Sequence, residues 1–291
     1  MKEINIIAEI GSNHAGDMSL AKEMIHAAHE SGANYAKFQS WQEKNIGPGP
    51  WDSDEKFFHF KNKREFYNSA ELTDQDHYDL KQECDKIGIK FLTTCFDRNR
   101  VDFLSELGLD TMKVASFDST NEHMIRELSF KFDRLVVSTG MTTNEEIKNL
   151  CKWLPYYCKN HAILHCVSIY PTPLEKISIE KMFWLREHLN PVGYKEDGGP
   201  GEWGVSDHSL GVSVPKIAIT YGATWIEKHF TTDKTLPGPD NHMSIDPSEL
   251  KQVRQFSDDF LQVSSCRTDD VLEEEMQLRQ VIGKRFSESS E

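Results

Sequence analysis

No two cysteines in this chain are spaced C-x-x-C. The six that occur, Cys84, Cys95, Cys151, Cys158, Cys166 and Cys266, are scattered, and three of them fall in apolar strand or helix patterns. That spacing offers neither a zinc ribbon nor a dithiol redox pair, and it reads as reduced core thiols. Long apolar runs are missing too. The first hydrophobic stretch, INIIAEI, is too short for a signal h-region or a membrane helix, and no later one is long enough. No membrane partner and a cytoplasmic address are the expectation. Positive charge is the third shortage: 33 Lys and Arg stand against 47 Asp and Glu, a formal net charge of −14. Nucleic acid is therefore not expected as a partner, because its phosphates want a basic face, whereas a local basic pocket for a small anion remains open.

What the chain has is alternation. Short apolar runs at 4–10, 35–39, 90–94, 111–115, 134–139, 162–167, 204–207 and 224–229 are separated by amphipathic helical patterns. The helices carry end signals. One runs from Asp17 to just before Gly32, and another opens at Thr73 and stops before Gly88. Thr142 with Glu145 reads as a capping box, and Asp246-Pro247 with Glu249 as an N-cap, a proline at N1 and an N3 acid. Apolar strands alternating with helices imply a parallel sheet covered on both faces. The 291 residues would fill one large α/β barrel or two ordinary domains. Eight units in about 260 residues favour a single closed (β/α)8 TIM barrel. The barrel is expected over 1–264 and an acidic helical tail over 265–291. Two segments break the rhythm: residues 40–72, rich in Trp and Phe, and GYKEDGGPGEWG at 193–204, which reads as a loop on the N-terminal side of the barrel.

In such a barrel the C-terminal strand ends build the active site, and here those ends are polar. They carry Glu9, Ser12, Asn13 and His14; Lys37 and Gln39; Thr93 and Thr94; Lys113 and Ser116; and Ser138 and Thr139. Ser168 and Tyr170 follow strand 6, Ser206, Asp207 and His208 end strand 7, and Glu227, Lys228 and His229 end strand 8. A single strand lysine is usually a solvated edge or an interior ion pair, and a single core histidine is usually packing. Eight polar ends at one rim point instead to chemistry. Two lysines among hydroxyls make an anion cradle, and histidines on neighbouring strands can share a divalent cation with positions left open for substrate.

The strings IAEIGSNHAGD, ANYAKFQ, FLTTCFD, MKVAS, VVSTGM, the IYPTP run, VSDHSLG, IEKHFT and LPGPDNHMS lie in order between about residues 4 and 260. Through them the chain resembles the N-acetylneuraminate (sialic acid) synthase family. The resemblance implies a (β/α)8 barrel that condenses phosphoenolpyruvate with an N-acylhexosamine to a nine-carbon keto-acid sugar, using a divalent metal such as Mn2+ or Mg2+. It implies donor contacts from Lys37, Thr94, Lys113, Ser116, Ser138 and Ser206, and metal ligation by His208 and His229. It implies acceptor contacts from Gln39, Tyr170 and Asp240, with Ser168 near the same pocket. Glu227 would orient water or substrate. Lys228 alternates away from its neighbours and should pair behind the barrel wall.

The chain departs from the family pattern in several places. Ser168 stands where an asparagine is expected, and Ala15 where Asn or Glu is common; the glycine-rich segment looks inserted. The antifreeze-like domain usual in the family is not expected in 265–291. A homodimer is expected, with the aromatic segment 41–70 as lid or dimer contact. Two alternatives stand beside this reading: a synthase for another acceptor (legionaminate- or pseudaminate-type, or a phosphorylated hexosamine), and a non-catalytic barrel in a glycan-biosynthesis complex.

Overall fold

The computed structural model describes residues 3–189, 201–265 and 271–282. Its strands are β1 (Asn5–Gly11), β2 (Tyr35–Ser40), β3 (Lys90–Cys95), β4 (Thr111–Val114), β5 (Arg134–Ser138), β6 (Asn160–Cys166), β7 (Glu202–Asp207) and β8 (Trp225–His229). All pair in parallel with their sequence neighbours, and β1 pairs with β8, so the sheet closes into a (β/α)8 barrel in chain order. Strand limits fall within two residues of those expected from the apolar pattern. Among the described residues no helix is long and apolar enough to cross a membrane. The five described cysteines are free and buried; Cys266 lies outside the described residues.

The helix ends follow from local chemistry. Asp17 caps Met18–Glu30 by accepting from the amides of Ser19 and Leu20. Thr73 and Asp76 form a reciprocal box on Asp74–Ile87, and Gly88 closes that helix at φ 87°, a left-handed conformation that glycine adopts without a Cβ penalty. Asp246, Pro247 and Glu249 act as expected on Pro247–Val263. The box expected on Thr142 and Glu145 sits one residue later, on Thr143 and Glu146. Thr142 is otherwise engaged: its hydroxyl donates to the Gly140 carbonyl at 3.1 Å and bonds the Ser119 hydroxyl at 2.7 Å.

Of the segment 193–204, residues 193–200 lie outside the described residues, and β7 begins earlier than expected, at Glu202. The segment after β2 does not read as a free lid. Trp41, Phe60, Phe66 and Ala70 form a small core of their own, joined by Phe57, Tyr67, Ile46 and Phe96. Phe58 stands out of this core, half-exposed. Beyond the barrel, Glu273–Ile282 is a helix with no buried residue.

The barrel floor is apolar. Ile7, Tyr35, Leu92, Val136, Leu164 and Trp225 form one buried cluster inside the ring of strands. Trp225 is its largest member. Its indole N–H donates to Glu202 at 2.7 Å, and its ring lies 5.5 Å from that of Tyr35. Gly204 on the adjacent strand makes room for it: a Cβ there would lie 1.9 Å from the Trp225 carbonyl oxygen and 2.7 Å from its Cβ. Gly204→Ala is therefore expected to destabilise the protein by about 1–3 kcal/mol, the usual cost of overpacking a core. Urea unfolding should show the midpoint shift; an unchanged midpoint would mean that the floor has slack the packing does not reveal.

Candidate active site

Two residues beyond each floor position, the same alternation places a polar group. Glu9 follows Ile7, Lys37 follows Tyr35, and Thr94 follows Leu92. Ser138 follows Val136, Cys166 follows Leu164, and Glu227 follows Trp225. Lys113 and Ser206 complete this storey on β4 and β7, and all eight line one open cavity of about 310 Å³ at the C-terminal mouth. The period-2 geometry of strands is what carries a dry layer into a charged one within a single pleat.

The charged groups satisfy one another. Lys37 lies 2.6 Å from Glu9 and 3.6 Å from Glu227, and donates to the Thr94 hydroxyl at 3.0 Å. Lys113 donates to the Ser138 hydroxyl at 2.7 Å and to the Val114 carbonyl at 2.9 Å, with Glu227 at 3.9 Å. Ser206 donates to Glu227 at 2.8 Å, and Gln39 to Glu9 at 2.6 Å. Burial works against the charges of Lys37, Lys113 and Glu227. At Lys37 the nearby Glu227 and Glu9 outweigh it and raise the pKa; at Lys113 burial prevails over the pull of Glu227 and lowers it. At Glu227 burial is offset by Lys113, Lys37 and the Ser206 hydroxyl, and the carboxyl is held below its usual range. Two lysines and two glutamates leave this storey formally neutral.

Above it stand the imidazoles. The rings of His208 and His229 have centroids 5.4 Å apart, and the Tyr170 ring lies 4.2 Å from His208. Burial first, then the neighbouring His229, lowers the pKa of His208 to about 3, so it is a neutral ring. Its Nδ1 faces the Val167 carbonyl at 3.2 Å; a carbonyl only accepts, so Nδ1 carries the proton and Nε2 keeps a free lone pair. His229 Nδ1 is buried without a hydrogen-bond partner, the Asp240 carboxylate being 3.8 Å away. Imidazoles with unused ring nitrogens, Nε2 of His208 and Nδ1 of His229, fit a divalent cation. Among the described residues no group of three or more His, Cys, Asp or Glu converges as a metal cage. A pair of imidazoles would leave most of a cation's coordination open.

Of the residues singled out in the sequence, Lys37, Gln39, Thr94, Lys113, Ser116 and Ser138 line this cavity, as do Ser168, Tyr170, Ser206, His208, Glu227 and His229. Asp240 stands outside its lining, with its carboxylate 3.8 Å from His229 Nδ1. Gly140 leaves room for two of the serines, since a Cβ there would lie 2.2 Å from Ser168 Oγ and 2.9 Å from Ser116 Oγ. Other polar strand ends serve structure. Asn13 donates to the Phe230 carbonyl at 2.9 Å and Ser244 at 3.0 Å, and Thr139 to the Leu164 carbonyl at 2.9 Å. Lys228 points away from the mouth and pairs with Asp207 at 3.0 Å behind the wall, which takes Asp207 out of the site as well. Ala15 packs on the aromatic segment rather than in the cavity. Glu9 gains a place beside Lys37 that the sequence reading had not given it, although its parity with Ile7 carried the signal. Phe96 also lines the mouth, two residues past Thr94 on the same side, while Phe117 arrives from a 3-10 turn that no strand period reaches.

The NeuB family model matches residues 24–265. The N,N'-diacetyllegionaminic acid synthase of Legionella pneumophila is 38% identical over 263 residues, 86% of this chain and 70% of its own. The human N-acetylneuraminate-9-phosphate synthase is 30% identical over 255 residues, 85% of this chain and 67% of its own. Among solved structures, the N-acetylneuraminic acid synthetase of Leptospira borgpetersenii, crystallised with citrate, superposes with a TM-score of 0.78 at 27% identity, covering 98% of this chain and 94% of that one.

Buried neutral histidines give the protein an acid limit. Burial lowers His14, His77 and His165 to about 4 and His208 to about 3, against 6.5 in an unfolded chain. Below 6.5 the unfolded state binds protons that the folded state refuses, so stability is complete above that pH and is lost as pH falls toward 4. Glu227, depressed in the folded state, adds loss in the same direction at lower pH. Urea midpoints measured with chelator present should therefore fall steadily from pH 7 to pH 4.5; a flat profile would mean that these rings are solvated.

Proposed function

The chain belongs to the NeuB family and is a nonulosonic acid synthase; we propose that it joins phosphoenolpyruvate to the aldehyde carbon of an acylamino hexose and releases inorganic phosphate. The observation that carries this reading is the storey of Lys37, Lys113 and hydroxyls directly beneath two free imidazoles, all lining one cavity. It offers charge for a small, highly charged donor at the base and a site for an electrophilic carbonyl above it.

Lys37 and Lys113 hold the donor's carboxylate and phosphate, assisted by Thr94, Ser116, Ser138 and Ser206. In the free protein these groups bond to one another, so the donor replaces existing partners rather than ordering loose ones. C3 of phosphoenolpyruvate attacks the aldehyde carbon and the aldehyde oxygen becomes a hydroxyl. Water adds at C2, losing one proton to Glu227, which passes it to the former aldehyde oxygen; the remaining proton of the C2 hydroxyl goes to the phosphate as the C2–O bond to it breaks and C2 becomes a ketone. Glu227 is a weak base while both lysines face it; once donor anions engage those lysines, its proton affinity rises toward a useful range. Ser206 keeps the carboxylate aimed while this happens. His208 and His229 would hold a divalent cation, which when bound acts as a Lewis acid on the acceptor's carbonyl. Gln39 and Tyr170 position the sugar, with Asp240 beside His229.

Lys37→Ala and Lys113→Ala should each weaken phosphoenolpyruvate binding about tenfold or more, the scale of one buried charge-assisted hydrogen bond. Calorimetry checks this, with thermal midpoints to confirm that both variants fold; unaltered donor affinity in both would refute the donor site. Glu227→Gln should lower kcat by about 10²–10⁴ with donor affinity retained. Manganese retained on dialysis should be lost in His208→Ala and His229→Ala; retention in both would remove the imidazoles from the metal site.

A further inference from the structure

The outer face of β7 and β8 carries a polar knot that the chemistry above does not use. Asp207 and Lys228 are partners in register, on the last paired rung between the two strands. Each is followed by an imidazole, Asp207 by His208 and Lys228 by His229. Both charged side chains are buried, 4% and 2% exposed, and Lys228 Nζ lies 3.0 Å from the Asp207 carboxylate. That carboxylate also accepts from the Ser209 amide at 2.9 Å and from the Ser209 hydroxyl at 3.0 Å. Lys228 donates in addition to the Ser209 carbonyl. Asp207 and Ser209 are the two ends of a turn with His208 between them, and Lys228 of the next strand grips both ends.

His208 needs such a hold more than His229 does. His229 still belongs to β8, in register with Glu9 of β1, and its carbonyl accepts from the Ile245 amide at 2.8 Å. His208 has left β7, so the strand ladder ends one residue before it. What fixes it is the turn, with the Thr172 amide donating to its carbonyl at 3.0 Å and the Val167 carbonyl facing Nδ1 at 3.2 Å. Filling space does not account for the ion pair. Apolar residues of similar volume in place of a buried pair often leave a protein as stable or more so. What they lack is direction. An ammonium shared between a carboxylate and a carbonyl fixes an angle, and groups that bind a metal must be held to within about 0.5 Å.

We propose that Lys228 and Asp207 are positioning residues for the imidazole pair, a clamp behind the barrel wall that sets the His208 turn and so holds its ring opposite His229. The clamp lines no part of the mouth cavity and acts through the backbone of residues 207–209. The inference rests on the reading of His208 and His229 as the cation's ligands, and it adds what keeps the two rings matched, 5.4 Å apart, before an ion arrives. Rings already in place need little ordering on binding, and that is how the clamp contributes to metal affinity.

The test is the double variant Asp207→Asn with Lys228→Met. It leaves no unpaired buried charge, keeps an amide oxygen for the Ser209 N–H, and removes the grip of one strand on the other. Calorimetry with Mn2+ alone is expected to show affinity about ten- to hundredfold weaker than in the wild type, the usual cost of losing a group that orients a metal ligand. Affinity for phosphoenolpyruvate measured without metal should stay where it was, because Lys37 and Lys113 are untouched. A pair that serves stability alone predicts the reverse, a shifted thermal midpoint with Mn2+ affinity unchanged, and that result would overturn the proposal. If the double variant does not fold, Asp207→Asn alone is read in the same way, its carboxamide holding Lys228 less tightly. Should the wild type itself bind no Mn2+, the reading of the imidazoles as ligands fails, and the clamp is decided by a crystal structure of the variant without metal. A displaced His208 ring supports it; a ring separation still at 5.4 Å overturns it.

Discussion

Everything at the mouth of this barrel depends on Lys37 keeping its charge while buried. Its ammonium has lost its water and has Glu9 at 2.6 Å and Glu227 at 3.6 Å in exchange. Removing either carboxylate would leave a buried cation short of compensation, a situation that costs several kcal/mol in proteins generally. The same pair of carboxylates cannot stand without the lysines. The four groups are thus a closed circuit of charge, stable when empty and still able to take a more negative visitor by trading partners. That ability is what separates them from an ordinary structural ion pair such as Lys228 with Asp207, whose members do not line the mouth cavity.

The circuit is positioned by what lies beneath it. Trp225, Tyr35 and their neighbours form a buried cluster inside the ring of strands, so the charged storey rests on an apolar plug and opens toward the mouth. Low polarizability below and restricted water above make each contact in the storey stronger than the same contact on a surface. Gly204 has a structural part in this although it touches no substrate-sized space, because only a residue without a side chain admits Trp225 at that height.

Much of this was legible in the sequence. Period-2 runs alternating with capped helices specify the barrel, and one parity rule assigns Glu227 and His229 to the inside and Lys228 to the outside. The same rule, carried two residues further, reaches Glu9 and Phe96. Where the chain leaves regular structure the rule has nothing to count. Asp240 and Phe117 sit on loops and 3-10 turns whose direction is decided by tertiary contacts. The aromatic segment shows the limit most clearly, since its composition announces burial but not against what, and most of its rings are buried against each other. The capping box on Thr143 rather than Thr142 was a choice between adjacent threonines that the Ser119 and Gly140 contacts made.

The alternation along β8 bears on how this protein avoids misfolding. Both faces of the strand carry charge near its end: Glu227 toward the mouth, Lys228 toward the helices, each with its own buried partner. A slip of one residue against β1 or β7 would turn Lys228 into the mouth beside two other lysines and push Glu227 against the helix layer. Ile226 would then replace Trp225 in the floor. Strands that are apolar on both faces can shift by one residue with modest loss, but here the shifted state has like charges facing each other and unpaired ions in an apolar layer at once. The pairing that closes the barrel, β1 with β8, is made by this strand. The charges that serve the mouth therefore also act as a register check on ring closure, widening the gap between the correct barrel and its nearest misthreaded competitor.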